Sequence, residues 1–218
     1  MGRAKLKRFA VVAENRNVIE PGKDLFTSIR GHWHEYFGNQ NDIVLELGCG
    51  RGEYSTGLGA LNPDKNYVGI DLKGARLWKG SVVAVENNLH NVAFLRTQIQ
   101  NIASFFAENE VSEIWITFPD PRPKDSDEKR RLTSPRFLAL YRSIMKKGGV
   151  MNFKTDNLPL FEYTLEEVFP TQAIENLAFT KDLYNSDLLA LHHQIQTTFE
   201  KHYLKNGEKI NYLRCKLV

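Results

Sequence analysis

The chain has 218 residues, 42% of them hydrophobic and 25% charged, with a formal net charge of +3. Those values describe an ordinary globular domain with a substantial core and exclude a disordered chain. A charge so mild also excludes a nucleic-acid footprint set by overall charge, so any such footprint rests on local Lys and Arg clusters, which occur at residues 3 to 8 and 129 to 131.

The opening MGRAKLKRFAVVAEN begins with basic residues, but its apolar stretch is too short for a signal peptide. No run of about 18 apolar residues follows it. Gly2 fits a myristoylation signal, yet Leu6 stands where that signal requires Ser or Thr. Two cysteines, Cys49 and Cys215, lie far apart without metal-ligand spacing and suit a reducing compartment. The expectation is a soluble, cytoplasmic protein with no metal and no membrane segment. Residues 1–23 are expected to form a basic, flexible arm carrying Arg3, Lys5, Lys7 and Arg8, and residues 24–218 a single domain.

DLFTSIRGHWHEYF at 24–37 predicts a helix ahead of the first strand. From residue 43 onward short apolar runs alternate with helical stretches: IVLEL 43–47, NYVGID 66–71, VAFLR 92–96, EIWITF 113–118 and VMNFKT 150–155. That alternation predicts βαβ units and a mostly parallel sheet with helices on both faces. Residues 73–90 read as a helix with Gly74 and Gly80 inside it. The clearest helix is 135–147, with Ser134 as N-cap, Pro135 in the first turn and Lys146-Lys147-Gly148 as the stop. NLPLFEYTLEEVF after Asp156 reads as another helix, and KINYLRCKL 209–217 closes the chain as a strand.

LELGCGRG places Gly48, Gly50 and Gly52 directly after a strand, where glycines allow a tight turn and close approach of backbone to a ligand. Asp71 ends the next strand, where an acid accepts from ribose hydroxyls. The pair argues for an adenosine-containing cofactor. The spacing departs from the dinucleotide G-x-G-x-x-G: position 53 is Glu, which would set a carboxylate beside a pyrophosphate. A donor without phosphates and with cationic groups, S-adenosyl-L-methionine, suits Glu46 and Glu53 better than NAD does. Glu46 alone also reads as a strand-end acid bonded to loop amides.

TFPDPRPKDSDEKRR at 117–131 ends a strand in a Pro-Asp-Pro corner and continues into a basic run. Asp120 alone fits a turn between prolines, and Lys129-Arg130-Arg131 alone fits a solvated charge run. Together with ELGCGRG, GID, KTD at 154–156 and TTFE at 197–200, the stretch resembles the bacterial tRNA (guanine-N7-)-methyltransferase family over about residues 40 to 217. The resemblance implies a Rossmann-like class I methyltransferase fold: α/β, a mostly parallel seven-stranded sheet, helices on both faces and the last strand antiparallel. It implies S-adenosyl-L-methionine as methyl donor, S-adenosyl-L-homocysteine as product, and N7 of the variable-loop guanine at tRNA position 46 as acceptor.

By the same resemblance Glu46, Gly48, Gly50, Asp71 and Gln98 are cofactor positions, and Asp120 is the catalytic aspartate with a cofactor contact besides. Lys124, Asp156, Thr197, Phe199 and Glu200 fall on substrate positions, and Arg130 and Arg131 become phosphate contacts. The family usually carries an aromatic and often a His after FPDP; Arg122 and Pro123 stand there, so a guanidinium plane would have to stack on the base. Thr197 to Glu200 also reads as a capping box, and Asp156 as a helix cap.

Guanine N7 has a lone pair and no proton, so its methylation needs no general base, only alignment and exclusion of water. No Ser-His-Asp or His-centred constellation is present, in keeping with that chemistry. Asp120 could accept from guanine N1 and N2 hydrogens and favour the positive ring that methylation creates. The rivals are a methyltransferase for another RNA base or a protein, an NAD-dependent oxidoreductase, and a non-enzymatic RNA-binding module. Monomer and homodimer are equally open.

Overall fold

A computed structural model describes residues 14–218, so the cationic cluster at 3 to 8 lies outside the described residues. In chain order the elements are β1 (Val18–Ile19), α1 (Leu25–Ser28), α2 (Trp33–Phe37), β2 (Asp42–Leu47), α3 (Glu53–Leu61), β3 (Lys65–Asp71), α4 (Gly74–Glu86) and β4 (Val92–Arg96). The second half adds β5 (Val111–Thr117), α5 (Pro135–Arg142), β6 (Met145–Thr155), α6 (Leu158–Glu162), β7 (Ile174–Thr180), α7 (Thr198–Lys205) and β8 (Asn211–Leu217).

The strands form one sheet in the order β1-β4-β3-β2-β5-β6-β8-β7. Only β8 runs antiparallel to its neighbours, β6 and β7; the other pairings are parallel. The sheet has eight strands rather than seven because Val18–Ile19, inside the segment assigned to the arm, pairs with Phe94 and Leu95 of β4. From β2 the chain builds outward through β3 and β4, then returns to lay β5 on the other side of β2. The order therefore reverses between β2 and β5, which opens a ligand crevice beyond their carboxyl ends.

Side chains alternate along each strand and sort into two cores. Ile43, Leu45 and Leu47 of β2 join Phe106, Phe137, Tyr141, Phe153 and Phe161 on one face. Val44 joins Tyr54, Leu58, Leu77, Phe94, Trp115 and Tyr212 on the other. Glu46 shares the face of Val44, and Lys154 of β6 shares the face opposite Phe153, so both ionisable groups enter the second layer. There Gly52, Gly69 and Gly80 surround Phe94: a Cβ on any of them would come closer than 3.0 Å to its ring. Gly80, a weakness in a helix judged by propensity, is thus required by packing.

Several elements differ from the sequence expectation for local reasons. The helix over 24–37 is two short helices, since Gly31 takes φ 80 between them. The helix over 135–147 ends at Arg142; Met145 already pairs with Val111, and the register jump to Glu113↔Val150 leaves Lys146 to Gly149 as a bulge in β6. β7 has mostly exposed or half-buried side chains and a kink at Asn176, φ 52, so no alternation announces it. The helix after Asp156 continues from α6 into a π turn over Tyr163–Val168.

Candidate active site

The carboxyl ends of β2, β3, β4, β5 and β6 lead in turn to Glu46, Asp71, Gln98, Asp120 and Asp156. After β2, Gly48, Gly50 and Gly52 all adopt the left-handed region, with φ 74, 55 and 69. The turn is pinned to the neighbouring strand: Gly48 N and Cys49 N donate to Ile70 O, and Gly50 N donates to Asp71 Oδ2 at 3.0 Å. Asp71 Oδ1 accepts from Lys73 N at 2.7 Å. Two backbone donors thus fix a carboxylate opposite the glycine loop, with lone pairs left for ribose-type hydroxyls.

Glu46 is 3% exposed. Its Oε2 accepts from Ser55 N at 2.8 Å and from Ser55 Oγ at 2.6 Å, and Thr117 Oγ1 of β5 lies 3.5 Å from Oε1. Burial pushes its carboxyl up to about 7 against those hydrogen bonds, with the Glu53 charge adding to the rise. A cation arriving beside it would reverse that shift. Glu53 accepts from Thr198 N and Oγ1 at the start of α7, so the residue after the third glycine is tied to the carboxy-terminal segment.

Gln98 is exposed where β4 leads into a short 3-10 helix, and its Oε1 accepts from Gln100 Nε2 at 2.7 Å. Asp120 projects from the Pro-Asp-Pro corner with a side chain 63% exposed. Left-handed residues bracket the corner, Phe118 at φ 50 and Arg122 at φ 48, each costing about 1 kcal/mol or more for a non-glycine residue. Phe118 anchors it: Phe118 N donates to Lys154 O at 2.8 Å and its ring packs on Tyr203. Both Asp120 oxygens meet Arg122, Oδ2 facing Nε at 3.1 Å and Oδ1 facing the backbone N at 3.3 Å. The guanidinium expected to stack on a base is turned onto the aspartate.

The TTFE segment divides. Thr197 and Glu200 form the capping box of α7 and are buried, whereas Phe199 is 59% exposed. Glu200 Oε1 also accepts from Lys154 Nζ and from Tyr184 OH, with His192 Nε2 at 3.2 Å. Lys154 Nζ donates further to Tyr54 OH at 2.7 Å and lies 5.7 Å from the centroid of the Phe118 ring. Burial draws the Lys154 ammonium down to about 8 while Glu200 opposes it. Burial works to raise Glu200, and the His192 hydrogen bond and Lys154 charge outweigh it, leaving the carboxyl below its ordinary value. We read the pair as Lys154-ammonium and Glu200-carboxylate. Sequence reasoning quoted KTD but gave Lys154 no role; the signal was a lysine inside an apolar strand run.

The basic run also divides. Arg131 is committed to the protein, its Nε donating to Arg122 O at 3.1 Å and its guanidinium 4.3 Å from the centroid of the Tyr163 ring. Arg130 pairs with Asp127 at 2.9 Å and stays exposed, and Lys124 is exposed. Asp156 lines a separate cavity of ≈ 500 Å³ with Glu208, Lys181 and Lys209, where burial and then the Glu208 charge raise its carboxyl. Glu46 and Asp71 thus lie at the carboxyl ends of adjacent strands and Gln98 and Asp120 just beyond those of β4 and β5, while Thr197, Glu200 and Arg131 are engaged by contacts within the protein. Among the described residues no His, Cys, Asp and Glu group could hold a metal ion, and no helix is long and apolar enough to cross a membrane.

A sheet reversing between β2 and β5 over a glycine loop closed by the acid of β3, with the last strands antiparallel, is the arrangement of the class I methyltransferase fold. Solved structures share that fold: an antibiotic-related methyltransferase has TM-score 0.63 at 20% identity, covering 85% of this chain and 92% of its own. The 16S rRNA (adenine(1408)-N(1))-methyltransferase from Catenulisporales acidiphilia has TM-score 0.58 at 16% identity, covering 86% and 93%. Residues 40–213 match the family model described as "Putative methyltransferase". Proteins named tRNA (guanine-N(7)-)-methyltransferase are 53% identical in Cytophaga hutchinsonii, over 98% of this chain and 97% of the relative, and 46% identical in Christiangramia forsetii, with the same coverage. The Bacteroides thetaiotaomicron relative is 43% identical over 100% of this chain and 87% of its own length. The chain belongs to the tRNA (guanine-N(7)-)-methyltransferase family.

Proposed function

We propose that the protein methylates N7 of the variable-loop guanine, position 46, of tRNA in the cytoplasm, with S-adenosyl-L-methionine as donor. The observation that carries this is Asp120, a rigidly mounted, exposed carboxylate at the carboxyl end of β5, on the strand next to the glycine loop. Family membership supports the acceptor, and a neighbour of the same fold is described with cosubstrate SAM.

The residues fit that donor. Acids rim the loop where a pyrophosphate binder needs donors, and Glu53 occupies the place of the third dinucleotide glycine. Asp71 would hold the ribose hydroxyls, Gln98 would accept from the adenine amine, and Glu46 with its buried charge would favour the cationic end through the loop of Gly48 and Gly50. When bound, the donor supplies an electrophilic methyl group on a positive sulfur. Asp120 accepts from guanine N1 and N2 hydrogens, a pair adenine lacks, and its charge offsets the positive ring formed when N7 gains a methyl. No side chain has to remove a proton. Phe199, Lys124, Asp156 and Arg130 would contact the RNA, whereas Thr197, Glu200 and Arg131 would act by supporting the residues around them.

The test is incubation with methyl-labelled S-adenosyl-L-methionine and unmodified tRNA, followed by borohydride and aniline cleavage at N7-methylguanine. Label at position 46, lost from a tRNA carrying another base there, is the expected result. Label on another base, or on protein alone, would replace this reading by one of its rivals.

A further inference from the structure

Glu53 follows the third loop glycine and opens α3, yet both of its carboxylate oxygens are engaged 145 residues further along the chain. Oε1 accepts from Thr198 Oγ1, and Oε2 accepts from Thr198 N at 3.0 Å. Thr198 is the first residue of α7, whose own N-cap, Thr197, serves the N–H of Glu200. Glu53 thus caps α7 from another element: it satisfies a helix-terminal N–H and sets negative charge at the positive end of the helix. One turn on, Gly57 meets the same segment, since a Cβ there would lie 3.0 to 3.1 Å from three carbons of the Ile195 side chain. Residues four apart share a helix face, so α3 receives residues 195–198 along its Glu53–Gly57 side.

The far end of α7 reaches the corner that carries Asp120. The Tyr203 ring packs on the Phe118 ring at 5.7 Å between centroids. Sheet pairing of β5 stops at Thr117, and one further bond holds Phe118 N to Lys154 O, so the ladder alone does not fix Asp120. We propose that Glu53 is a positioning residue for the methyl transfer: by clamping Thr198 it holds α7, and through Tyr203 the Asp120 corner, in register with the glycine loop. The inference rests on the function proposed above. A transfer that moves no proton depends on the alignment of nitrogen, methyl carbon and sulfur, and a misplacement of about 1 Å costs on the order of 10²-fold. The clamp also accounts for a glutamate where a dinucleotide loop has its third glycine: the carboxylate is required by α7.

The experiment is a double-mutant cycle of Glu53→Ala and Thr198→Val. Methylation of unmodified tRNA gives kcat, calorimetry gives donor affinity, and amide hydrogen exchange reads α7 in the unliganded protein. Glu53→Ala should lower kcat roughly 10- to 100-fold with donor affinity within a few-fold. Thr198→Val should lower kcat less, and the double variant no further than Glu53→Ala alone, because the contact is lost only once. Thr198→Ser, which keeps the hydroxyl, should restore the rate lost in Thr198→Val. Exchange of the amides over 197–205 should quicken about 2- to 30-fold in Glu53→Ala, as for a lost N-cap, with the rest of the chain unchanged. Faster exchange through the whole chain would mean general destabilisation and overturn the proposal. Donor affinity lost while kcat at saturation is kept would assign the Glu53 charge to the donor instead, and effects that multiply in the double variant would separate Glu53 from Thr198; either result overturns the clamp. Wild-type protein that yields no N7 product counts against the guanine reading alone, since the exchange measurement reads the clamp without any acceptor and the cycle runs equally on whichever acceptor is methylated.

Discussion

Glu46 and Asp120 stand at the ends of adjacent strands, β2 and β5, yet one is 3% exposed and the other has a side chain 63% exposed. The glycine-loop side of the crevice is preformed: Asp71 is held by Gly50 and Lys73, Glu46 by Ser55, and Glu53 by Thr198. The β5 side presents charges that satisfy one another for now, Asp120 with Arg122 and Arg130 with Asp127. On the proposed function, a small cofactor would be met by groups already held in place, while a large polyanion would be met by side chains able to exchange partners. Changes on the buried side should therefore register in stability, and changes on the exposed side in rate or affinity.

The sharpest division should come from Lys154. Lys154→Met leaves Glu200 buried without its ammonium and should destabilise the fold by about 3–5 kcal/mol in urea unfolding. Adding Glu200→Gln should recover a large part of that loss; no recovery would mean that the pair is not the reason for the effect. Asp120→Ala tests the other side. It should reduce kcat by roughly 10²- to 10³-fold, with cofactor affinity within a few-fold and the unfolding midpoint unchanged, and a lowered midpoint would erase the contrast.

Glu46 gives the smallest effect and the one with a pH sign. Its carboxyl sits at about 7 in the fold against an ordinary 4.5. Between those values the folded protein holds a proton that the unfolded chain has released, so stability falls as pH rises through the window. The loss from Glu46 should be on the order of 2 kcal/mol between pH 4.5 and 7 and should vanish in Glu46→Gln. Thermal melts across that range check it, and equal slopes in both proteins would place the titration elsewhere.

Much of the fold could be read in advance because apolar runs and breakers carry it. The strands over 43–47, 66–71 and 92–96 correspond to β2, β3 and β4 within a residue at each end. β7 escaped because an edge strand with outward side chains shows no period, and β1 because two residues are too few to show one. At the candidate site the tight turn over Gly48, Gly50 and Gly52 was legible, since left-handed backbone names the residue type. Lys154 was not: what it does depends on Glu200, a residue far along the chain that only folding brings near. The same limit applies to TTFE, whose capping box was visible locally but whose buried tie to β6 was not.

Phe94 and its three glycines set terms for how this protein can drift. The ring occupies a socket shaped by three absent methyl groups, at Gly52 of the loop, Gly69 of β3 and Gly80 of α4. A lone Gly80→Ala pushes α4 onto the ring, and a lone Phe94→Ala empties the socket, so each step is unfavourable although a coordinated exchange could be neutral. The third glycine of the loop is therefore inherited together with a phenylalanine 42 residues later in the chain. Its persistence among descendants would record a packing debt shared by three elements, and would carry no information about which cofactor lies above it.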